Sequence, residues 1–195
     1  ARRGYFPVEE LSTLRKFKSR LQGHPSIQYL PGIDMSTGSL GQGISAAVGM
    51  ALAGKIDKKD YRVYTILGDG ELEEGQVWEA SMCAAHYKLN NLTAFIDFNG
   101  LQIDGDITKV MNPCPIDKKF EAFGWNVLVI DGHNYEEIID AIEKAKECKD
   151  KPTAVVCKTI KGKGVSFMEN QAEWHGIAPS REQCEAALKE LGGEN

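Results

Sequence analysis

Residues 61–70 read YRVYTILGDG, and this stretch decides the fold. Its first seven residues, 61–67, are rich in β-branched and aromatic side chains, which is typical of a buried parallel strand. The predicted strand ends directly at Gly68, Asp69 and Gly70, where the two glycines let the backbone turn sharply and approach a ligand closely. Because open α/β sheets bind ligands beyond the carboxyl ends of their strands, Asp69 is the first candidate functional residue.

Strand-like and helix-like segments alternate around this stretch. The alternation predicts an α/β fold, a doubly wound and mainly parallel sheet with helices on both faces. The further predicted strands are residues 92–98, 125–130 and 153–159. Apolar residues at helical spacing predict helices at residues 7–21 and 134–147. Three more helices are predicted: an Ala- and Gly-rich stretch at 40–55, the segment 74–89 that follows the first strand, and residues 180–191, which have a serine cap at the start and a glycine after the end. Residues 108–115 and 161–179 are interpreted as ordered loops, which are candidates for function.

Length and composition indicate one globular domain over residues 1–195. Hydrophobic residues make up 42% and charged residues 26% of the chain, ordinary values that give no sign of disorder. The net charge of −5, without a strongly basic stretch, argues against nucleic acid as a partner. No apolar run reaches the length of a membrane span, and no secretory signal with a cleavage site is visible. Because the first residue is Ala1 rather than Met, an upstream segment is expected to be missing.

The five cysteines include no CxxC pair and no zinc-like spacing. Their odd number, in a chain large enough to need no disulfides, indicates reduced thiols and a cytoplasmic protein. Cys83 and Cys157 lie in apolar segments and are expected in the core.

Asp69 has a counterpart one βαβ unit further along the chain. The predicted strand 92–98 ends at Asn99, so Asp69 and Asn99 meet at one sheet edge if the two strands are neighbours. A carboxylate oxygen and an amide oxygen, with a backbone carbonyl, two phosphate oxygens and a water, complete six-coordinate Mg²⁺, and Ca²⁺ would accept the same ligands. The alternative is an ordinary βα turn in which Asp69 caps a helix.

Two separated blocks resemble the cofactor signature of transketolases, which use thiamine diphosphate (ThDP). They are residues 68–80, GDGELEEGQVWEA, and residues 97–105, DFNGLQIDG. The resemblance covers nearly the whole chain and is closest to the separately encoded N-terminal subunit of split transketolases. It implies a single domain that holds ThDP through its diphosphate and Mg²⁺.

The resemblance also implies roles for individual residues at the two strand ends. Asp69 and Asn99 would bind Mg²⁺ through their side chains, and Leu101 would bind it through its carbonyl oxygen. Gly70 would contact the diphosphate, and Asn99 is a cofactor-binding residue as well as a metal ligand.

Another block, residues 23–43, contains Gly-His-Pro and a glycine-rich turn that precedes a predicted helix. On the residues alone, this turn is either a helix entrance that receives a ligand or a tightly packed helix start. Its glycines do not follow the GxGxxG order and no predicted strand leads into it, which disfavours a NAD-binding domain. By the resemblance, Gly38, Ser39 and Leu40 contact ThDP, and His24 lies near the C1 hydroxyl of the substrate.

Candidate catalytic residues follow in the second half of the chain. The last predicted strand leads into residues 158–164, KTIKGKG, in which Lys161 suits a diphosphate, although a solvated basic loop has the same composition. By the resemblance, His175 reaches the diphosphate and the substrate, and a neutral histidine can donate or accept a proton near pH 7. Glu74 matches a glutamate at the subunit interface of the family, while dipole complementation at a helix start and plain solvent exposure are the alternatives. His175, His24 and Glu74 are therefore the predicted catalytic residues.

The chain carries only part of the active site that the resemblance implies. By the resemblance, the pyrimidine-binding domain with its activating glutamate is expected on a second polypeptide, and the arginines that bind sugar phosphate are not expected within residues 1–195. The implied function is transfer of a two-carbon ketol unit between sugar phosphates, in a heterotetramer with a C-terminal transketolase subunit. The alternatives are a subunit of a 1-deoxyxylulose-5-phosphate synthase or a 2-oxo acid dehydrogenase, and a non-catalytic cofactor-binding module.

Overall fold

A computed structural model describes residues 1–192 and shows a four-stranded parallel sheet. The strands, in chain order, are β1 (Val63–Gly68), β2 (Leu92–Phe98), β3 (Leu101–Gln102), β4 (Gly105–Asp106), β5 (Asn126–Asp131) and β6 (Thr153–Lys158). The sheet order is β1-β2-β6-β5 with every pair parallel, and β3 and β4 form a separate antiparallel hairpin. The four strands predicted from the sequence are confirmed, with ends shifted by at most two residues.

Within residues 1–192, six helices connect and cover the strands. They are α1 (Gln42–Ile56), α2 (Gly75–His86), α3 (Ile107–Val110), α4 (Ile116–Ala122), α5 (Tyr135–Glu147) and α6 (Arg181–Glu190), with 3₁₀ turns at Val8–Thr13, Gly70–Glu73 and Ala172–His175. Four of the five predicted helices are confirmed as α1, α2, α5 and α6. The side chain of Asn134 caps α5, and Ser180 forms a capping box with Gln183 at the start of α6. The sequence did not predict the short helices α3 and α4, of four and seven residues.

The helix predicted over residues 7–21 is wrong. This segment contains only the 3₁₀ turn Val8–Thr13, and Arg15 and Lys18 adopt positive φ angles of 59° and 64°. Its apolar side chains are mostly exposed, and Phe17 reaches 91% exposure. Because most helical stability comes from packing an apolar face, a periodic pattern that finds no packing surface among residues 1–192 does not produce a helix.

The main core lies on one face of the sheet, beneath α1, α2 and α4. Ile96 of β2 and Phe120 of α4 are fully buried there. On the other face, α5 packs on the sheet through Ala141, so helices lie on both faces, as predicted. The edge strand β1 is less covered on this second face, where Tyr64 and Ile66 are 45% and 76% exposed.

Two other expectations concern membranes and thiols. Among residues 1–192, no helix combines the length and the apolar character that crossing a membrane requires. All five cysteines are free thiols. Cys157 is buried and Cys83 packs half-buried against the main core, as predicted for both.

Candidate functional site

Asp69 and Asn99 lie at the same carboxyl edge of the sheet, because β1 and β2 are parallel neighbours. Asp69 is 2% exposed, and its Oδ2 accepts a 2.6 Å hydrogen bond from the backbone N–H of Gly100. Its Oδ1 accepts a 2.8 Å hydrogen bond from the N–H of Gly70. The carboxylate therefore faces the turn that carries Asn99, and the predicted neighbourhood of the two strand ends is confirmed.

The surroundings of Asp69 change the pKa of its carboxyl group. Burial raises this pKa above its ordinary value, while the N–H groups of Gly100 and Gly70 stabilise the charged form and lower it. The negative charge of the nearby Asp97 acts with burial and raises the pKa further. A cation placed beside Asp69 would favour the charged carboxylate at this buried position.

Asn99 is oriented by two neighbours. Its Oδ1 accepts a 2.9 Å hydrogen bond from the N–H of Leu101, and its Nδ2 donates to Oδ2 of Asp97 across 3.4 Å. The other carboxylate oxygen of Asp97 accepts a short hydrogen bond from the hydroxyl of Thr159, which follows β6. The backbone carbonyl of Asp97 also accepts from the N–H of Asp69 at 3.2 Å. Asp97 thus connects the ends of β1, β2 and β6, a role that was not predicted from the sequence although the residue lies two positions before Asn99.

The oxygen atoms at this edge have the chemistry that a hard divalent cation prefers. They belong to the Asp69 carboxylate and the Asn99 amide, and Leu101 starts the β3–β4 hairpin directly after Gly100. Such a set leaves coordination positions for phosphate oxygens and water. It is unlike a metal site built from three or more His, Cys, Asp or Glu side chains, which does not occur among residues 1–192.

The loop after β6 lies beside the same edge. Lys161 and Gly162 line a cavity of about 970 Å³ together with Asn99, and the cavity continues along the exposed apolar face of the sheet. The 3₁₀ turn that ends at His175 packs against the β3–β4 hairpin, and His175 is exposed there. Lys161 thus shares a cavity with Asn99, whereas His175 lies beside the hairpin and does not line that cavity.

His133 helps to hold the start of this loop. Its Nε2 accepts a 2.7 Å hydrogen bond from the N–H of Ile160, the residue before Lys161. This contact was not predicted from the sequence. It joins residues 27 positions apart, which no local pattern indicates.

The other predicted cofactor residues lie in the loop before α1. A Cβ on Gly38, which has a φ of 134°, would lie 2.4 Å from the ring of His24, so the two residues are in close contact. His24 and Ser39 line a cavity of about 440 Å³. Leu40 is 57% exposed. These four residues form a second group, apart from the Asp69 edge.

Glu71 connects the two groups. Its Oε1 accepts a 2.8 Å hydrogen bond from the N–H of Gly41, at the start of α1, and its Oε2 accepts a 3.1 Å hydrogen bond from the N–H of Gly68. Glu74 lies beside this contact, since a Cβ on Gly41 would be 2.9 Å from the Cβ of Glu74. The role of Glu71 was not predicted from the sequence, because its contact with Gly41 spans 30 residues.

The fold and the Asp69 edge of the sheet together define a class of protein. A doubly wound parallel sheet presents a carboxylate and an amide at two adjacent strand ends, and a hydrogen bond holds a glycine-rich loop beside them, as in α/β domains that bind cofactors. Residues 3–195 match the family described as "Transketolase, thiamine diphosphate binding domain". The chain therefore belongs to the transketolase family.

Comparison with individual proteins shows how far the similarity extends. The chain is 49% identical over 195 residues to the 6-deoxy-6-sulfo-D-fructose transketolase subunit SqwG of Clostridium sp. (strain MSTE9), covering 100% of this chain and 70% of that protein. It is 45% identical over 189 residues to an apulose-4-phosphate transketolase subunit of Phocaeicola vulgatus, covering 97% of this chain and 67% of that protein. The crystal structure of transketolase from Campylobacter jejuni superposes with a TM-score of 0.90 at 37% identity, covering 95% of this chain but 30% of that one. The predicted fold class and family are confirmed, and the chain spans about 30% of the length of that solved transketolase.

Proposed function

We propose that this chain holds the Mg²⁺-bound diphosphate of ThDP as the N-terminal part of a transketolase. The proposal rests on one observation above others, the meeting of the buried Asp69 carboxylate with the turn that contains Asn99 and Gly100. The enzyme would transfer a two-carbon ketol unit between sugar phosphates, as in the pentose phosphate pathway. We place it in the cytoplasm, where free thiols such as its five cysteines stay reduced.

Three residues would hold the metal. Asp69 and Asn99 would use their side-chain oxygens, and Leu101 would use its carbonyl oxygen. Mg²⁺ is the expected ion, and Ca²⁺ would accept the same oxygens. The positive charge would stabilise the buried carboxylate of Asp69, whose pKa is raised by burial.

Other residues would position the coenzyme. Gly70 would let the diphosphate approach the backbone, and a Cβ at this position would lie 2.7 Å from the side-chain oxygen of Gln102. Lys161 would contribute positive charge from the loop after β6, in the cavity that Asn99 also lines. The loop before α1 would contact the coenzyme through Gly38, Ser39 and Leu40. When bound, ThDP supplies the electron sink for the two-carbon unit.

His24 and His175 would contact the substrate, and His175 would also contact the diphosphate. Both side chains are exposed, His24 beside Gly38 and His175 beside the β3–β4 hairpin, so a sugar can reach them. A neutral imidazole can donate or accept a proton near pH 7, and can hold a hydroxyl group of the sugar. Glu74, next to Gly41, would complete the catalytic set at the interface with the partner.

The partner would be a C-terminal transketolase subunit that contains the pyrimidine-binding domain, and the complex would be a heterotetramer. Two relatives that carry the word subunit in their names support a divided enzyme. Their names refer to a sulfonated fructose and to a phosphorylated apulose, both of which carry an anionic group. An anionic sugar, such as a sugar phosphate, is therefore the substrate class that we propose.

The test uses this chain assembled with that partner. ThDP is titrated by calorimetry, with and without Mg²⁺, into wild type, Asp69→Asn and Asp104→Asn. Asp104 lies exposed between β3 and β4 and serves as the matched control. We expect Mg²⁺-dependent binding that Asp69→Asn weakens by about 100-fold or more, because even indirect ligand contacts are worth about 10- to 100-fold. Ketol transfer should require both subunits.

Three results would contradict parts of the proposal. Equal ThDP affinity of wild type and Asp69→Asn would remove the metal assignment. Substantial ketol transfer by this chain alone would remove the need for the partner. Turnover of pyruvate without transfer between sugars would reassign the complex to another class of ThDP enzyme.

A further inference from the structure

The carboxylate of Glu71 joins two segments that the proposed function needs at a fixed separation. Gly41 donates to Oε1 at 2.8 Å and follows directly on Gly38, Ser39 and Leu40, the proposed coenzyme contacts. Gly68 donates to Oε2 at 3.1 Å and precedes the proposed metal ligand Asp69. One side chain thus connects the glycine-rich loop with the metal edge.

Glu71 is itself held in place by its neighbours. Glu71 lies in the 3₁₀ turn Gly70–Glu73. The residue after it, Leu72, is buried in the main core with 1% exposure. The carbonyl of Leu72 accepts a 2.8 Å hydrogen bond from Nε1 of Trp78, and the backbone N–H of Leu72 donates to the carbonyl of Asp69 at 3.2 Å. Because the backbone on either side is fixed, the Glu71 side chain loses less freedom in reaching both N–H groups.

A glutamate suits this contact better than a glutamine of the same shape. An ionised carboxylate offers two accepting oxygens, whereas the amide of glutamine offers one acceptor and one donor. In Glu71→Gln, one of the two backbone N–H groups would therefore face an NH₂ group. Gly41 has a φ of 80° and α1 has no local side-chain cap, so Glu71 supplies the side-chain acceptor for the Gly41 N–H at this helix start.

The charge of Glu71 also indicates which part of the coenzyme the loop receives. A negative charge is favourable at a helix N-terminus, and Glu71 already provides one at the start of α1. A second anion in the same place would be repelled. The carboxylates of Asp69 and Asp97 also repel an anion, but the proposed Mg²⁺ would offset their charge, so we expect the diphosphate at the metal edge and an uncharged part of the coenzyme at the loop.

We propose that Glu71 is a positioning residue, which fixes the loop of Gly38, Ser39 and Leu40 relative to the metal edge so that ThDP contacts both. The inference rests on the proposed function and adds a residue to it. It requires that Glu71 matters for ThDP but not for a ligand that occupies the metal edge alone. Inorganic diphosphate with Mg²⁺ is such a ligand.

The experiment measures two dissociation constants for the complex with its partner subunit, one for ThDP and one for inorganic diphosphate, both with Mg²⁺. The variants are Glu71→Gln, Asp69→Asn and the control Glu73→Gln, which changes an exposed glutamate in the same 3₁₀ turn. Glu71→Gln should weaken ThDP about tenfold or more, the worth of one charge-assisted hydrogen bond, and should leave inorganic diphosphate within about twofold. Asp69→Asn should weaken both ligands, and Glu73→Gln neither.

The outcomes separate the inference from the function on which it rests. Unchanged ThDP affinity in Glu71→Gln, with both ligands weakened by Asp69→Asn, overturns the role of Glu71 alone. Unchanged affinities in Asp69→Asn overturn the metal site. An equal loss of affinity for ThDP and for inorganic diphosphate in Glu71→Gln also overturns the inference, because Glu71 would then support the metal edge itself and not the position of the loop.

A measurement on the unmodified complex covers the case in which Glu71→Gln does not fold. Hydrogen exchange reports whether the N–H of Gly41 is protected, as its hydrogen bond to Glu71 requires. Protection that is at least about tenfold above a free loop amide supports the contact. Exchange at the rate of a free amide overturns it.

Discussion

Asn99 donates from Nδ2 to the carboxylate of Asp97 across 3.4 Å, and this contact determines which end of the Asn99 amide faces the strand end. An ionised carboxylate can only accept hydrogen bonds, so it selects the NH₂ group of the amide. The amide oxygen then points the other way, where it accepts from the N–H of Leu101. Because Asp97 is itself held by the hydroxyl of Thr159, the orientation of Asn99 depends on the end of a third strand.

Replacement of Asp97 should therefore weaken the metal site without removing a metal ligand. In Asp97→Ala the Nδ2 of Asn99 loses its acceptor and only the N–H of Leu101 still orients the amide, so we expect Mn²⁺ affinity in the presence of inorganic diphosphate to fall by about 10- to 100-fold. In Asp97→Asn an acceptor oxygen remains and the hydroxyl of Thr159 can rotate, so the loss should be smaller. Electron paramagnetic resonance of Mn²⁺ in the assembled complex measures both affinities.

Asp104→Ala is the control for this pair, because Asp104 is exposed in the neighbouring hairpin. Equal losses in Asp97→Ala and Asp97→Asn would show that the negative charge of Asp97 matters and the orientation of Asn99 does not. Equal affinity of Asp97→Ala and wild type would remove Asp97 from the site.

The sequence predicted the parts of this site that depend on one βαβ unit. The apolar run before Gly68 and the one before Asn99 are strong strand patterns, and parallel neighbours must present their carboxyl ends together. The roles of Asp97 and Glu71 could not be predicted in this way. Their partners Thr159 and Gly41 lie 62 and 30 residues away, and only tertiary packing brings them near.

The fold shows the same division between local and distant causes. Strands and capped helices were predictable, because the strands are short apolar runs rich in β-branched residues and caps are local hydrogen bonds. The helix α4 was missed, since its seven residues are too few to show a period. The helix predicted at residues 7–21 failed for the opposite reason, because a clear apolar period has no packing partner among residues 1–192.

Gly38→Ala should weaken ThDP binding, and Gly49→Ala should not. A Cβ at position 38 would lie 2.4 Å from the ring of His24, at a φ of 134° that other residues rarely adopt. In Gly38→Ala the loop would move to relieve that strain, which is on the order of 1–3 kcal/mol. A cost of that size corresponds to roughly 5- to 150-fold in ThDP affinity. Gly49 lies exposed in α1 with nothing within 4 Å of a Cβ. Its replacement by alanine should raise the free energy of unfolding by about 0.5–1 kcal/mol.

Calorimetric titration of ThDP and denaturant unfolding of both variants check these expectations. If Gly38→Ala binds ThDP as tightly as wild type, the loop before α1 does not need its present path, and the contact between Gly38 and His24 has no part in the site. If Gly49→Ala loses as much affinity as Gly38→Ala, the loss reflects α1 as a whole and not the loop.

Cys157 should resist thiol reagents until strongly alkaline pH. Burial raises the pKa of its thiol from 9.0 to about 11, and the negative charge of Asp97 adds to the rise. Because the thiolate is the reactive form, a disulfide reagent at about pH 8 should label the exposed Cys184 and leave Cys157 unmodified.

The raised pKa of Cys157 also makes the stability of the fold depend on pH. The folded state holds the thiol proton of Cys157 more tightly than the unfolded chain, so the stabilisation is complete below pH 9.0 and is lost towards about pH 11. The free energy of unfolding of wild type, measured relative to Cys157→Ser, should therefore fall across that interval, and a constant difference would contradict the burial of the thiol.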